Sequence, residues 1–426
     1  MSWLLQNGTV YGTEHGPGAR LDLRVEGGRV VAIASRLSPL PEDRALDLDG
    51  RIVTPGWIDL HAHVYWGVTT WGIPADPICL STGVTTVVDA GSAGWATFPG
   101  FCRWIVQGAK TRVLAFVHIS GIGLTYGPVG EMEDLRYADP ELTAEAIRLY
   151  PETAVGVKVR QGAAQVGSNG VRPLERAVEA AELAGVPVMV HIGAGVPLPE
   201  VLRRLRPGDI VTHCYQGRGD TILNERGELL PEVRQARASG VWFDVGHGSG
   251  SFRLETARRA IEQGCLPDVI SSDLHAVSVE GPVFDMPTTA SKFLSLGMRL
   301  EDVIRAVTET PAQILNRPEL GRITVGGPAD LAVFELIEGE FRFEDTHQQG
   351  WHGGRLLRPV YTLRNGELWT PERVWEEFGH PWEQTPPMAR KANRQLMERS
   401  GIRPSPWWRE WLLKQTGSAP EEDEAR

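Results

Sequence analysis

Residues 54–63, TPGWIDLHAH, decide the fold and the site that this sequence predicts. An apolar run typical of a buried β-strand ends there in His61 and His63, which are one residue apart. Alternate side chains of a strand point to the same face, so both imidazoles can bind one metal ion from the end of that strand. A single His-x-His pair is common by chance and is more often solvated or structural. The metal-site interpretation therefore depends on the rest of the sequence.

Four further segments support a metal site, because each is a short apolar run that ends in a residue able to bind a metal ion. They are AVGVK (154–158), VPVMVH (186–191), DIVTH (209–213) and DVISSD (268–273), with Lys158, His191, His213 and Asp273 at their ends. A surface lysine is not expected between Val157 and Val159, so the sequence predicts that Lys158 is buried.

Strand patterns alternate with helical patterns along residues 53–319. A helix is expected from Pro173 to a terminal glycine, Gly185, and eight strand candidates lie at 57–63, 84–89, 113–118, 154–159, 186–191, 209–213, 240–245 and 268–273. This α/β pattern predicts a TIM-like (β/α)8 barrel, whose active site lies at the carboxyl ends of the strands. The candidate ligands stand at those ends, so we expect them to converge at one mouth.

The two ends of the chain have β patterns of their own. Residues 1–52 are typical of short strands with a Gly27-Gly28 hairpin turn, and residues 320–372 return to strands after a helix at 300–315. We expect these strands to pair into a small β-sandwich domain. Residues 373–426 predict a helical C-terminal extension with a disordered acidic end at 418–424. Its tryptophans are expected to pack in a core, the alternative being that they cover the barrel or a subunit interface.

Size, charge and cysteine spacing argue against several classes of protein. The chain has 426 residues, and no run approaches the roughly 18 apolar residues of a membrane span. A net charge of −11 without a basic cluster argues against nucleic acid or a membrane as partner, so a small-molecule substrate is expected. The four cysteines lie far apart, with no Cys-x-x-Cys pair, which is typical of reduced thiols in the cytoplasm.

Taken together, these motifs resemble the amidohydrolase superfamily, specifically its binuclear-metal deacetylase and dihydroorotase-like members. The resemblance covers about residues 1–370, and the later residues do not match the family pattern. It rests on the motif at 55–63 and on Lys158, His191, His213 and Asp273, which follow in the family's order. The resemblance implies two divalent metal ions, usually zinc, and, since many relatives associate, a homo-oligomer.

The resemblance also implies a role for each ligand. His61, His63 and Asp273 would hold the more buried ion and His191 and His213 the more exposed one, with a carboxylated Lys158 as the bridge. Chemistry supports the bridge, because burial favours a neutral amine, which can react with CO2 to give a carbamate anion. Two ions lower the pKa of a shared water, so hydroxide is the implied nucleophile, and Asp273 is the implied catalytic residue that carries its proton to the leaving group.

Four residues are expected to bind substrate: Arg160, Tyr215, His247 and His275. Arg160, Tyr215 and His275 each follow a predicted ligand by two residues, so a continuing strand would point both side chains to one face. Arg160 either clamps a substrate carboxylate or forms an ordinary structural ion pair. His247 lies in a glycine-rich loop after the seventh strand, where backbone rather than core surrounds it. His275 either contacts substrate or orients its neighbours.

Several activities fit this pattern. The leading interpretation is hydrolysis of an amide or ester bond, such as removal of an acyl group from a small carboxylate-bearing compound. Dihydroorotase-like opening of a cyclic amide is the alternative, and the same ligands fit lactone or phosphotriester hydrolysis, since loop residues decide among these. The family's single-metal deaminases usually carry a glutamate shortly after the fifth-strand histidine. Residues 191–195, HIGAG, have none, which argues against a nucleobase deaminase. A non-catalytic relative would be expected to lack ligands, and all six are present.

Overall fold

Strands from both ends of the chain join one mixed sheet. A computed structural model of the protein describes residues 2–381 and 383–400. The N-terminal members of this sheet are β1 (Ser2–Val10), β2 (Ala19–Glu26), β3 (Arg29–Ala34), β4 (Asp43–Asp47) and β5 (Ile52–Pro55). The hairpin between β2 and β3 turns at Gly27 and Gly28, which both have positive φ, as the glycine pair predicts.

Seven parallel strands form the second sheet and curl into a barrel. They are β6 (Trp57–Ala62), β7 (Val84–Gly94), β8 (Arg112–His118), β9 (Ala154–Gln161), β10 (Val188–Ile192), β11 (Ile210–Thr212) and β12 (Trp242–Asp244). Each strand pairs with the next one along the chain, as βα repeats require. The curled parallel α/β sheet agrees with the barrel that the sequence predicts.

The predicted eighth strand, 268–273, is not a regular strand. This segment makes one parallel bridge on each side, Asp244 to Val269 and Ala62 to Leu274. Its backbone departs from extended geometry at Asp273, where φ is 49°. Backbone hydrogen bonds still join it to both neighbours, from the amide of Asp273 to the carbonyl oxygen of His61 at 2.6 Å and from the amide of Val245 to that of Val269 at 3.0 Å. The carboxylate of Asp59, from β6, also accepts hydrogen bonds from the amide and the hydroxyl of Ser272. The segment therefore closes the barrel, largely through irregular contacts.

Helices cover the outside of the barrel. They are α1 (Ala75–Cys79), α2 (Phe98–Phe101), α3 (Pro140–Leu149), α4 (Ala163–Val166), α5 (Arg172–Ala184), α6 (Leu198–Leu202), α7 (Pro231–Ala238), α8 (Leu254–Glu262), α9 (Met286–Ser295), α10 (Leu300–Val307) and α11 (Glu309–Ile314). Helix α5 ends at Gly185 in the left-handed conformation, as predicted. The single helix predicted at 300–315 is two helices, because Thr308 has non-helical dihedral angles.

The last strands return to the first sheet, as the sequence predicts. They are β13 (Leu331–Glu344), β14 (Gly350–Arg364) and β15 (Glu367–Trp369), and β13 pairs with β5. The eight strands are hydrogen-bonded into one sheet, so the sandwich and its exact boundaries stay a prediction. Across the described ranges, no helix is both long and apolar enough to traverse a bilayer.

The described part of the C-terminal extension consists of two helices. Helix α12 (Pro371–Phe378) packs Val374 in a small apolar cluster with Leu80 and Trp369, and Trp375 lies against it. Helix α13 (Pro387–Ser400) follows. Of the predicted features, Trp382, Trp407, Trp408, Trp411 and the acidic end at 418–424 lie outside the described residues.

One buried carboxylate joins the sheet to the barrel. Asp330 accepts hydrogen bonds from Arg112 of β8 at 2.7 Å and from Arg364 of β14 at 3.1 Å. Its side chain is 3% exposed, whereas those of the two arginines are 25% and 18% exposed. Removal of the carboxylate charge would leave two poorly solvated guanidinium groups without an anion.

We expect Asp330→Asn to lower the free energy of unfolding by about 3 kcal/mol, since a buried ion pair loses its anion. The shift in the urea midpoint measures this loss. The control is Glu301→Gln, whose partner Arg299 is 75% exposed, and it should cost less than about 1 kcal/mol. Equal shifts for the two variants would contradict the role given to Asp330.

Candidate metal centre

The structure brings the six predicted ligands to the carboxyl ends of the barrel strands. They are His61 in β6, His63 directly after it, Lys158 in β9, His191 in β10, His213 directly after β11, and Asp273 in the closing segment. One oxygen of Asp273, Oδ1, lies 3.3 Å from Nε2 of His61 and 3.2 Å from Nε2 of His63. The ligand atoms of these three residues all lie within 4.8 Å of one another.

The other three predicted ligands adjoin this cluster. The ring centroid of His213 lies 5.1 Å from that of His61 and 4.4 Å from that of His191. Nζ of Lys158 lies 3.3 Å from Nε2 of His61. Nitrogen and oxygen donors from five separate segments therefore surround one space.

A hydroxyl and a carboxylate fix the orientation of the first imidazole. Nδ1 of His61 lies 2.9 Å from Oγ1 of Thr212, whose own hydroxyl donates to Oδ2 of Asp244 at 2.6 Å. Because the hydroxyl of Thr212 donates its hydrogen to Asp244, its oxygen accepts the Nδ1 hydrogen of His61. Nε2 of His61 is then unprotonated and able to bind a metal ion.

Two more imidazoles are oriented in the same way. Nδ1 of His63 lies 2.9 Å from Oγ of Ser92, which in turn hydrogen-bonds Asp89. Nδ1 of His213 lies 2.6 Å from the carbonyl oxygen of Gly246. Because these partners bind Nδ1 of each ring, Nε2 keeps a lone pair that can bind a metal ion. Metal-binding histidines in proteins have this arrangement.

Burial keeps the imidazoles neutral. It lowers the pKa of His61 and His191 well below the usual value, that of His63 to about 3 and that of His213 to about 4. A histidine binds a metal ion only as neutral imidazole, so these rings are in the required state at neutral pH. The chemistry of the donor set therefore fits a divalent metal ion, with histidine and carboxylate ligands that suit zinc.

Lys158 is the predicted ligand whose ordinary charge opposes this role. Its side chain is buried, and burial lowers its pKa to about 7, although Asp273 and Asp244 partly offset that effect. A Cβ atom on Gly91 would lie 2.6 Å from Cβ and Cγ of Lys158, so only glycine allows the lysine to lie there. A substantial fraction of an amine with this pKa is neutral at pH 7, and a neutral amine is nucleophilic.

Two of the ligands have an unusual backbone conformation. His213 and Asp273 have φ values of 68° and 49°, in the left-handed region that few residues other than glycine adopt. Strained conformations of this kind occur mostly at functional sites. Both residues come directly after the last extended residue of their segment, so the turn directs the side chain toward the mouth.

Arg160 lies on the inner side of the barrel, opposite His191 across the β9–β10 pair. Its Nε and Nη2 atoms donate to the carboxylate of Glu131 at 2.7 and 2.6 Å. Burial alone would raise the pKa of Glu131, but Arg160 and His118 lower it to about 2. Among the described residues, Nη1 of Arg160 has no hydrogen-bond partner, and the side chain is 12% exposed. One edge of the guanidinium is therefore bound and the other is free.

Tyr215 does not face the space between the ligands. Strand β11 ends at Thr212 and His213 is left-handed, so the two-residue spacing no longer places both side chains on one face. The hydroxyl of Tyr215 instead donates to the carbonyl oxygen of Cys265 at 2.7 Å, and the side chain is buried. The expected substrate contact of Tyr215 is therefore wrong.

The side chain of His247 also lies in the core, where both of its ring nitrogens have partners. Lys292 of α9 donates to its Nε2 at 2.7 Å, and its ring stacks on Phe252 at 4.6 Å. Its Nδ1 lies 3.0 Å from the carbonyl oxygen of Gly248. Both ring nitrogens are used and the residue is fully buried, so the expected substrate contact of His247 is wrong as well. The glycine-rich loop is covered rather than open.

His275 lies beside the ligand cluster. Its ring centroid is 6.1 Å from that of His63 and 5.0 Å from the indole of Trp71. Its Nδ1 accepts a hydrogen bond from the amide of Val277 at 3.1 Å, so Nε2 carries the hydrogen. A substrate contact of His275 stays a prediction.

Sequence reasoning missed the residues that hold the ligands. Asp89 and Asp244 each stand at or next to the end of a predicted barrel strand, as the ligands do, and this position was the available signal. Thr212 and Ser92 carry no comparable signal. Glu131 lies in an irregular segment, and nothing in the sequence pairs it with Arg160.

Known proteins resemble this chain over most of its length. A model of the amidohydrolase family matches residues 52–367. A deacetylase from Brucella anthropi is 37% identical over 383 residues, which are 88% of this chain and 95% of the relative.

Solved structures give the same result. A crystal structure of a dihydroorotase matches with a TM-score of 0.82 and 35% identity, over 87% of this chain and 97% of that one. A crystal structure of an adenine deaminase matches with a TM-score of 0.81 and 30% identity, over 86% and 99%. These neighbours have the TIM-barrel fold of the family, which agrees with the curled sheet described above. The chain therefore belongs to the amidohydrolase family and is a metal-dependent hydrolase.

Proposed function

We propose that the protein removes an acyl group, such as acetyl, from the nitrogen or oxygen of a small carboxylate-bearing compound. The observation that carries this proposal is the convergence of five neutral or neutralisable nitrogen groups, four imidazoles and one amine, and one carboxylate around one space. The deacetylase from Brucella anthropi, 37% identical over 88% of this chain, supports the choice of an acyl group.

The proposed centre holds two divalent ions, zinc being the expected metal. His61, His63 and Asp273 would hold one ion, His191 and His213 the other, and carboxylated Lys158 would bridge them. When bound, such a pair polarises a carbonyl group and supplies hydroxide at neutral pH. Carboxylation adds CO2 to Nζ and releases one proton, so the lysine becomes an anion that no longer opposes the two cations.

Asp273 has an oxygen available for proton transfer. Its Oδ1 adjoins His61 and His63, whereas its Oδ2 faces Gly248, where a Cβ atom would clash with that oxygen. Gly248 therefore lies directly against Oδ2. Burial raises the pKa of Asp273, which makes the carboxylate a better proton acceptor. We assign Oδ2 to take a proton during attack and to give it to the leaving nitrogen or oxygen.

Opening of a cyclic amide is the second candidate. The dihydroorotase structure, at a TM-score of 0.82 and 35% identity, favours it. Both reactions break an acyl bond next to a carboxylate-bearing group and need the same residues. The loops at the mouth would decide between an open-chain and a cyclic substrate.

We expect zinc-loaded protein to hydrolyse N-acetyl amino acids or acetyl esters of hydroxy acids faster than dihydroorotate. Asp273→Asn should lower kcat by about 10³-fold and change KM little, because proton transfer is lost while substrate binding is kept. Asp302→Asn, on an exposed helix face, is the control and should leave kcat unchanged. Faster turnover of dihydroorotate than of every acyl compound would select the second candidate, and an unchanged kcat for Asp273→Asn would remove its proton role.

Lys158→Ala should reduce the bound metal from about two ions per chain to one or none, since the bridge is absent. Short carboxylic acids should restore part of the metal content and activity. Lys292→Ala is the matched control, because Lys292 is equally buried with a pKa that burial also lowers to about 7. Mass spectrometry of the metal content measures the effect, and a full pair of ions in Lys158→Ala would refute the bridge.

Arg160→Met should lower kcat/KM for carboxylate-bearing substrates by about 10- to 100-fold, since a charge-assisted hydrogen bond is lost. Neutral analogues, such as the corresponding amides, should change by less than about threefold. The control is Arg204→Met, which breaks an arginine–glutamate pair at the surface. Equal losses for charged and neutral substrates would make Arg160 a structural residue.

A further inference from the structure

One segment connects the ligand cluster to the C-terminal extension. It is the mouth loop, residues 64–74, which runs from the end of β6 to the start of α1. The amide of Ile73 donates to the carbonyl oxygen of His63 at 3.1 Å, so the loop begins and ends at a predicted ligand.

The same loop contacts the segment that carries Asp273. The carbonyl oxygen of Trp71 accepts a hydrogen bond from the amide of Ala276 at 2.8 Å. The indole of Trp71 meets the ring of His275 edge-on, with centroids 5.0 Å apart. Trp71 therefore forms a wall beside the only predicted substrate-binding histidine that faces the ligands.

The outer side of the mouth loop has little apolar burial of its own. Trp66 and Val68 are 41% and 47% exposed. The bond from the amide of Thr70 to the carbonyl oxygen of Thr125 is long, at 3.4 Å. Gly72 passes so close to the backbone of Tyr65 that a Cβ atom would clash with it. Further partners of this loop lie outside the barrel.

The extension supplies two such partners. The indole Nε1 of Trp66 donates to the carbonyl oxygen of Gln384 at 2.9 Å. Nδ2 of Asn393, in α13, donates to the carbonyl oxygen of Thr70 at 2.7 Å, and Asn393 is 5% exposed. These two bonds hold the mouth loop at Trp66 and Thr70, on either side of Val68 and directly before Trp71.

We propose that residues 383–400 of the extension are a substrate-positioning element that holds Trp71 in place as a wall of the acyl-substrate pocket. The extension lies beyond residues 52–367, which match the family model. Asn393 and Trp66 act through Trp71 and are positioning residues. The proposal rests on the proposed function only for the choice of substrate.

The test uses the full-length, zinc-loaded protein with two conservative variants, Asn393→Ala and Trp66→Phe. Each removes one hydrogen-bond donor, worth about 1 kcal/mol, so each should raise KM for the best acyl substrate about fivefold. The double variant should raise KM about 25-fold if the two bonds act independently. We expect kcat to stay within about twofold and the metal content to be unchanged, because neither residue touches a ligand.

Hydrogen–deuterium exchange of residues 64–74 gives a second readout that needs no substrate. Their amides should exchange faster in both variants than in the unaltered protein. Met388→Ala is the control, since Met388 lies on the same helix and is 84% exposed, and it should change neither KM nor exchange. Unchanged KM with faster exchange would overturn the positioning role, and so would a parallel loss of kcat and metal. A protein inactive on every acyl compound would refute the proposed function, whereas unchanged exchange would refute the contact itself.

Discussion

Burial of more basic side chains than the nearby carboxylates offset is the constraint on which the rest of the structure depends. Four imidazoles and one amine lie around a space with a single carboxylate, Asp273, among them. Burial drives them to their neutral forms, since like charges cannot be kept there. The neutral forms are those that bind metal ions. Burial of these groups therefore costs electrostatic free energy in the folded protein and, at the same time, keeps the groups in the form that binds metal ions.

The barrel imposes a second condition, which is direction. Hydroxyl and carbonyl partners from other segments of the barrel take the Nδ1 hydrogen of three histidines, so each Nε2 faces the same space. Left-handed backbones at His213 and Asp273 complete the arrangement where a regular strand would point elsewhere. The strands thus set the position of each residue along the barrel, and the left-handed backbones set the direction in which the side chain points.

Much of this was predictable from the sequence. Strand period and apolar runs predicted the barrel and its ligand segments, because these depend on local pattern. The substrate contacts of Tyr215 and His247 were wrong for physical reasons. A left-handed turn at His213 ended the alternation, and Lys292 from a distant helix occupied the histidine. The irregular eighth segment has a similar cause, since Asp59, which is far from it in sequence, binds Ser272 through its side chain. Contacts between segments far apart in sequence leave no periodic signal.

The irregular closing segment has a consequence for the stability of the empty protein. Asp273 belongs to the closing segment, which is not a regular strand and meets the end of β6 through the backbone bonds Asp273 to His61 and His63 to Leu274 and through Ser272. Any cation that binds this carboxylate together with the histidines of β6 ties the last segment to the first. By thermodynamic linkage, binding of a metal ion at the centre and closure of the barrel by this segment must stabilise each other. Metal binding at this centre would therefore stabilise the junction at which the barrel closes.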